Sequence, residues 1–375
     1  VALRNRVLVA VVTAVPLALA TACSGAGNAV VLPAPAGSAA TIPPAPAPGP
    51  QQLSETGSTL LFQLMGSWVA AYRQQYPNVS IATGSTGSGT GISDATKGTV
   101  NIGASDAFLS SGDLVQNPAL LNIPLAVSAQ QVDYYLPGLP PEVNLKLDGS
   151  VLAQMYQGTI TTWDDPAIRR LNPGVPLPGT RVVPLHRFEQ SGDTFLFTSY
   201  LSTHSAAWNR AYGYGTAVAW PNVPGSVAVT GGNQGMVSEC RAKAGCVAYV
   251  GISFLTEAQD LGLGEAQLAN TLGQWELPTP GTITAAVRSF VSSTPDSETI
   301  SMVNGPASGG YPIVNFEYAI VSTRQRNAAV ARDIKSFLHW IITTGNAPKF
   351  LGPVRFEPLP CDVMSLSNAQ IAKIS

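Results

Sequence analysis

The chain has 375 residues, of which 45% are hydrophobic and only 11% charged, with a formal net charge of −2. That length predicts two domains with ample buried core, and the slightly negative balance removes the electrostatic case for binding nucleic acid. The three histidines, His186, His204 and His339, lie far apart, and no HExxH or CxxC spacing occurs, so no metal site and no cofactor is expected.

Residues 1–22 carry Arg4 and Arg6, an uninterrupted apolar-to-small run from Val7 to Ala20, and a small-residue end before Cys23. A charged start, a core too short to span a bilayer and a small-residue cleavage site predict a secretory signal peptide. Cys23 sits where a bacterial lipobox places its acylated cysteine, with Ala20 where Leu is usual, and lipidation of Cys23 is expected. Residues 23–52 are almost all Ala, Pro, Gly and Ser, a composition that cannot bury enough apolar surface to order itself and that reads as a tether.

From residue 53 onward short β runs alternate with helical periodicity, which predicts an α/β architecture. Leu61, Leu64, Met65, Trp68 and Tyr72 recur at helical spacing after Gly57-Ser58-Thr59, ending before Pro77. Val79 to Thr83 is predicted as a strand, followed by the Gly/Ser/Thr loop Gly84–Gly91 and a short helix from Ile92 to Lys97 closed by Gly98. Val100 to Ala104 is another strand, ending at Ser105-Asp106. Pro124 interrupts the run Leu121 to Val127, which is taken as an edge or connecting strand, with a separate strand from Val132 to Leu136. Asp148 and the pair Asp164-Asp165 begin two helices, as caps rather than as catalytic carboxylates. Val182, Val183 and Leu185 then lead through Arg187-Phe188-Glu189-Gln190-Ser191-Gly192-Asp193-Thr194 into an apolar helix.

Beyond that helix, Gly213 to Gly235 is expected to run as long surface loops. Cys240 and Cys246 flank five residues, a loop short enough to be closed by a disulfide in an exported protein. Cys246 to Val250 and Ile313 to Val321 are strands, and Ala331, Ile334, Leu338 and Ile341 mark a long helix ending at Gly345.

Three helix starts rich in Gly, Ser and Thr therefore come from separate parts of the chain: Ser58-Thr59, Gly87-Ser88-Gly89 and Ser191-Gly192. Unpaired N–H groups and the positive end of the helix dipole make each of them receptive to an anion, and Arg187 adds a planar fork of donors. Taken singly, each is equally well a linker or a cap. Nucleotide binding has little support, because no Gly-Lys dipeptide and no GxGxxG spacing occurs; hydrolysis has little, because neither Ser88 nor Ser191 sits in GxSxG. Asp106 and Asp193 suit discrimination among oxyanions. Phosphate at neutral pH still carries a proton that a buried carboxylate can accept, whereas sulfate does not.

The same residues carry a family resemblance. Thr56–Phe62 (Thr-Gly-Ser-Thr-Leu-Leu-Phe), Gly87–Gly91 (Gly-Ser-Gly-Thr-Gly), Val100–Asp106, Tyr156–Pro166, Leu171–Gly174 and Ser191–Phe195, in this order, resemble PstS, the phosphate-binding protein of bacterial ABC importers. The likeness is greatest to its mycobacterial lipoprotein form, known as a surface antigen. It implies a type II periplasmic-binding-protein fold: two α/β domains joined by two crossover strands, with the ligand cleft between them. Domain I would comprise residues 53–127 and 313–375, and domain II residues 128–312, with the chain crossing near Asn122–Val132 and Gly309–Val321. The implied phosphate ligands are Thr59, Leu60, Ser88, Asp106, Arg187, Ser191, Gly192 and Asp193. Glu189-Gln190 departs from the Asp-Gly usual in the family; Glu189 takes the place of the Asp that braces the arginine. The resemblance gives Cys361 no role. The expected function is a monomeric, lipid-anchored receptor handing phosphate to an ABC permease in the membrane. The alternatives are an exported phosphoesterase or other hydrolase, and a surface interaction protein with a vestigial phosphate site.

Overall fold

The alternation of β runs and amphipathic helices produces twelve strands among the described residues of the computed structural model, 45–47, 49 and 51–375. They are β1 (Gln51–Gly57), β2 (Val79–Ala82), β3 (Ile102–Ser105), β4 (Leu120–Tyr135), β5 (Lys146–Leu147), β6 (Val183–Arg187), β7 (Val227–Val229), β8 (Cys246–Gly251), β9 (Gly264–Glu265), β10 (Gln267–Ala269), β11 (Trp275–Glu276) and β12 (Val314–Ser322). The expected signal peptide, Cys23 and most of the tether lie outside the described residues.

Nine strands form one sheet in the order β2-β1-β3-β12-β4-β8-β6-β7, with β9 paired to β4; β11, β10 and β5 form a small second sheet. The sheet has two parallel ends, β2-β1-β3 and β8-β6-β7, joined through antiparallel β12 and β4. β4 is the connecting element. Its residues Leu120–Ala129 pair with β12, and Gln130–Tyr135 pair with β8, so one strand passes from one parallel end to the other.

The two separate strands expected around Pro124 are thus one strand of 16 residues, buried along nearly its whole length and central in the sheet. Proline lacks the N–H a ladder needs, and the structure accommodates it with a register shift: Glu317 faces Ala126 while Tyr318 faces Pro124, leaving Leu125 as the extra residue of a bulge. The sequence shows the proline but not the partner strand that absorbs it.

Helices cover the sheet as their periodicity requires. Phe62–Gln75 buries Leu64, Met65, Trp68 and Tyr72. Trp68 Nε1 donates to the Gly345 carbonyl at 2.8 Å and Tyr72 Oη reaches Ser336 Oγ at 2.8 Å, so both large side chains are buried with their polar atoms satisfied. Asp148 caps Gly149–Gln157 by accepting from Val151 N, and Asp165 caps Pro166–Leu171 by accepting from Ala167 N. Cys240 and Cys246 are bonded with their Cα atoms 5.2 Å apart, tying the helix Gly232–Ala242 to the start of β8.

Two expectations change. The helix anticipated from Ile92 begins at Ser88, because Gly87 takes the non-helical turn and the following Ser-Gly-Thr-Gly is already wound. The stretch Gly213–Gly235 is not all loop: it holds β7 and the start of the helix Gly232–Ala242. The glycines that read as loop at 231 and 232 form a tight entry into that helix, where Gly232 has φ of 67° and a Cβ would lie 2.7 Å from Thr59 Cγ2.

Candidate anion-binding site

In a parallel sheet, ligand groups collect beyond the carboxyl ends of the strands. β1 ends at Gly57, whose φ of 142° and close approach to the Ala104 carbonyl allow no side chain. The chain turns there through Ser58, Thr59 and Leu60, all buried, into the helix Phe62–Gln75; Ser58 Oγ accepts from Leu61 N at 2.9 Å. Beyond β2, Gly87 leads into the helix Ser88–Lys97. Beyond β3 lies Asp106, and beyond β6 Ser191 caps the helix Gly192–His204, accepting from Asp193 N at 3.1 Å.

The fold brings these starts together. A Cβ on Gly192 would meet Asp106 Oδ2 and, at 2.7 Å, Ser88 Oγ, so only glycine lets the third helix approach the second helix and the end of β3 this closely. Gly89 N donates to the Gln190 carbonyl at 3.2 Å, joining the first turn of the second helix to the loop before the third. Ser253 Oγ donates to the Leu60 carbonyl at 2.9 Å.

At the centre is Arg187, the only lysine or arginine among the described residues that is buried. Nη1 donates to Asp193 Oδ2 at 2.6 Å and Nε to Glu189 Oε1 at 2.7 Å; Nη2 lies 2.5 Å from the same oxygen but off the hydrogen-bond direction, leaving a buried donor without a hydrogen-bond partner. Burial opposes the charge, but Asp193 and Glu189 outweigh it and hold the guanidinium above its ordinary pKa.

Both carboxyl oxygens of Asp193 have partners. Oδ2 accepts from Arg187 and from Asn233 Nδ2 at 2.8 Å, and Oδ1 accepts from Gln130 Nε2 at 3.2 Å. Asp106 has no cation. It accepts from Ser58 Oγ and, at 3.2 Å, from Ser88 Oγ. Burial first, then the negative charges of Glu317 and Asp193, push its pKa well above the usual carboxylate range.

Sequence reasoning missed Asn233 and Glu317. Asn233 Nδ2 bridges Thr59 Oγ1 at 2.9 Å and Asp193 Oδ2, while its Oδ1 accepts from Gly251 N at 2.8 Å. No pattern marks it, because its partners are 174, 40 and 18 residues away. Glu317 carried a usable signal, a lone acid inside the apolar run Ile313–Val321. Asn233→Ala leaves the Gly251 N–H and one Asp193 lone pair without partners, and we expect a loss of about 2–3 kcal/mol in urea unfolding. A loss under about 0.5 kcal/mol would mean that water replaces the amide.

The histidines lie in structural settings: His186 stacks on Trp220 at 4.7 Å, His204 Nδ1 meets the Tyr200 carbonyl at 3.0 Å, and His339 Nδ1 meets Asn368 Oδ1 at 3.0 Å. Among the described residues no group of three or more His, Cys, Asp or Glu is arranged to hold a metal ion.

The model of the PBP superfamily domain matches residues 43–344. Phosphate-binding protein PstS of Methanocaldococcus jannaschii is 34% identical over 333 residues, covering 83% of each chain. The chain belongs to the PstS family. Phosphate-binding protein PstS3 of Mycobacterium bovis is 30% identical over 86% of each chain, in keeping with the mycobacterial likeness. Among solved structures, a high-affinity periplasmic phosphate-binding protein bound with phosphate superposes with a TM-score of 0.67 at 20% identity, over 85% of this chain and 93% of that one. The architecture is the type II periplasmic-binding-protein fold. In this PstS-family member Gly192 brings one helix start against Ser88 and Asp106, and Asn233 links Asp193, the partner of Arg187, to Thr59.

Proposed function

We propose that this protein is a high-affinity receptor for inorganic phosphate that delivers it to an ABC-type importer and performs no covalent chemistry. The observation that carries this reading is Arg187, buried, retaining an unsatisfied donor, and paired with Asp193, which Asn233 links to Thr59. The hydroxyls of Thr59, Ser88 and Ser191 and the backbone N–H groups of Thr59, Leu60 and Gly192 would complete a set of donors for a dianion. Asp106 would accept the one proton that phosphate retains.

Asp193 takes a different share of the work from that expected of it. Its oxygens are occupied by Arg187, Asn233 and Gln130, which supports a counter-ion that aims the guanidinium rather than a second filter. Glu189 supports the same fork from the other side, so the Glu-Gln departure is compatible with a braced arginine. The hydrolase alternative lacks a serine–histidine pair: each histidine is engaged elsewhere, and what stands beside Ser88 is the carboxylate that the phosphate reading uses as acceptor. The names of the relatives support the transport role. Export, lipidation at Cys23, a monomeric state and closure of residues 53–127 and 313–375 against 128–312 complete the reading. No helix among the described residues is long and apolar enough to cross a membrane.

Titration calorimetry with phosphate and then sulfate tests this. Phosphate should bind at one site, about a thousandfold or more tighter than sulfate, the cost of an unpaired buried carboxylate against an anion without a proton being several kcal/mol. No heat with phosphate, or effective competition by sulfate, would overturn it; steady turnover of a chromogenic phosphate ester would favour the hydrolase.

A further inference from the structure

Asn233 lies in the first turn of the helix Gly232–Ala242 and is fully buried. Its side-chain amide has three partners, and together they fix which way it faces. Oδ1 accepts from Gly251 N at 2.8 Å, and a main-chain N–H can only donate. Nδ2 therefore gives its two hydrogens to Thr59 Oγ1 at 2.9 Å and to Asp193 Oδ2 at 2.8 Å. Turned around, the amide would set its NH2 against the Gly251 N–H and its oxygen against a carboxylate oxygen, so only the first orientation satisfies all three partners.

Thr59 is held from the same helix start. Its Oγ1 also faces Asn233 N at 3.4 Å, a first-turn N–H without an intrahelical acceptor. Gly232, with φ of 67°, lets the backbone lie against the threonine: a Cβ there would be 2.7 Å from Thr59 Cγ2 and 3.2 Å from Oγ1. A hydroxyl has one hydrogen and two lone pairs. The two N–H groups of Asn233 take up the lone pairs, and the hydrogen meets no acceptor among the described residues. The other two hydroxyls of the donor set differ. Ser88 Oγ donates to Asp106 Oδ2 at 3.2 Å and Ser191 Oγ to Asp193 Oδ2 at 3.4 Å.

We propose that Asn233 is a positioning residue for anion binding: by donating to Thr59 Oγ1, it leaves the Thr59 hydroxyl hydrogen for the anion. This rests on the phosphate reading above and adds to it the group that sets the direction of one donor. The alternative acceptor for that hydrogen is close at hand. Thr59 Oγ1 and Asp193 Oδ2 share Nδ2 of Asn233 as a donor, so removing the amide leaves a hydroxyl facing a carboxylate oxygen. The hydroxyl would then turn to Asp193 and be lost to the ligand.

The test is a double-mutant cycle read by titration calorimetry with inorganic phosphate, on the wild type, Thr59→Val, Asn233→Ala and the combined variant. Valine keeps the shape of threonine without the hydroxyl, so Thr59→Val should weaken phosphate binding by about tenfold or more, as expected for one hydrogen bond to a charged group. Asn233→Ala should weaken it by a similar factor. In the Thr59→Val background, Asn233→Ala should weaken it by no more than about a further twofold, because the hydrogen it would misdirect is already gone. An Asn233 that only supports the fold, or only aims Asp193, would lower affinity by the same factor in both backgrounds, and that result overturns the proposal. Thr59→Val binding phosphate within about twofold of the wild type overturns it too, and this arm decides without Asn233→Ala having to fold. Thr59→Ser brings the hydroxyl back, and the full sensitivity to Asn233→Ala should return with it. A wild type that binds no phosphate overturns the functional reading together with this inference.

Discussion

Arg187→Met is expected to lower phosphate affinity by about a thousandfold or more and to cost about 3–5 kcal/mol of stability in denaturant unfolding. The binding loss follows from removing the one buried cation among the described residues, together with its unsatisfied donor. The stability loss has a different origin. Asp193 is 0% exposed and would be a buried carboxyl stripped of its cationic partner, and Glu189 would lose the group it pairs with. The two effects can therefore be separated. Adding Asp193→Asn to Arg187→Met should restore much of the stability without restoring binding, since the buried charge is gone but no donor has returned. Arg187→Lys should recover only part of the affinity, because an ammonium cannot present the planar fork that meets Glu189 and Asp193 at once. Calorimetry and urea unfolding on the three variants check this. Binding by Arg187→Met within about tenfold of the wild type would mean that the helix N-termini suffice and that the arginine serves the fold.

The second large effect is on selectivity. Asp106→Asn should reduce the preference for phosphate over sulfate by about a thousandfold, mainly because sulfate gains affinity. The amide has nearly the shape of the carboxyl and can still accept from Ser58 and Ser88 through its oxygen, but its nitrogen donates, and an anion without a proton needs donors. The charge that repels sulfate is also removed. Competition calorimetry with both anions reads the ratio directly; equal losses for phosphate and sulfate would show that Asp106 only shapes the site. The same substitution has a pH signature. With its pKa raised in the fold, Asp106 leaves the native state holding more protons than the unfolded chain above the ordinary carboxylate range. Its contribution to stability is present at low pH and is lost as pH rises through the raised value. Asp106→Asn removes that contribution, so the variant's stability should depend less on pH over that window.

Much of the site could be read along the chain because its parts are local. Ser58-Thr59, Ser88 and Ser191-Gly192 each precede a helix within a few residues, and a helix start advertises itself through glycines and hydroxyls before an apolar repeat. The caps at Asp148 and Asp165 were legible for the same reason. The order of several such motifs, rather than any one of them, carried the resemblance to PstS. What could not be read were relations between distant segments. Pro124 looks like the end of a strand until β12 supplies the bulge that absorbs it. Gly231-Gly232 looks like loop until Thr59 is found packed against Gly232. That Arg187, Asn233 and Gln130 all meet on Asp193 shows in no local pattern.

The sequence alone thus determined the α/β class and the three anion-receptive helix starts, because propensity, periodicity and capping act over one or two helical turns; the family and, through it, the candidate residues from Thr59 to Asp193 came from the order of the motifs. The tertiary structure decided which of the candidate carboxylates is paired and which stands without a cation. Asp106 and Asp193 read alike in one dimension. Their charge states depend on burial and on partners such as Asn233 and Glu317, which the chain brings near only by folding.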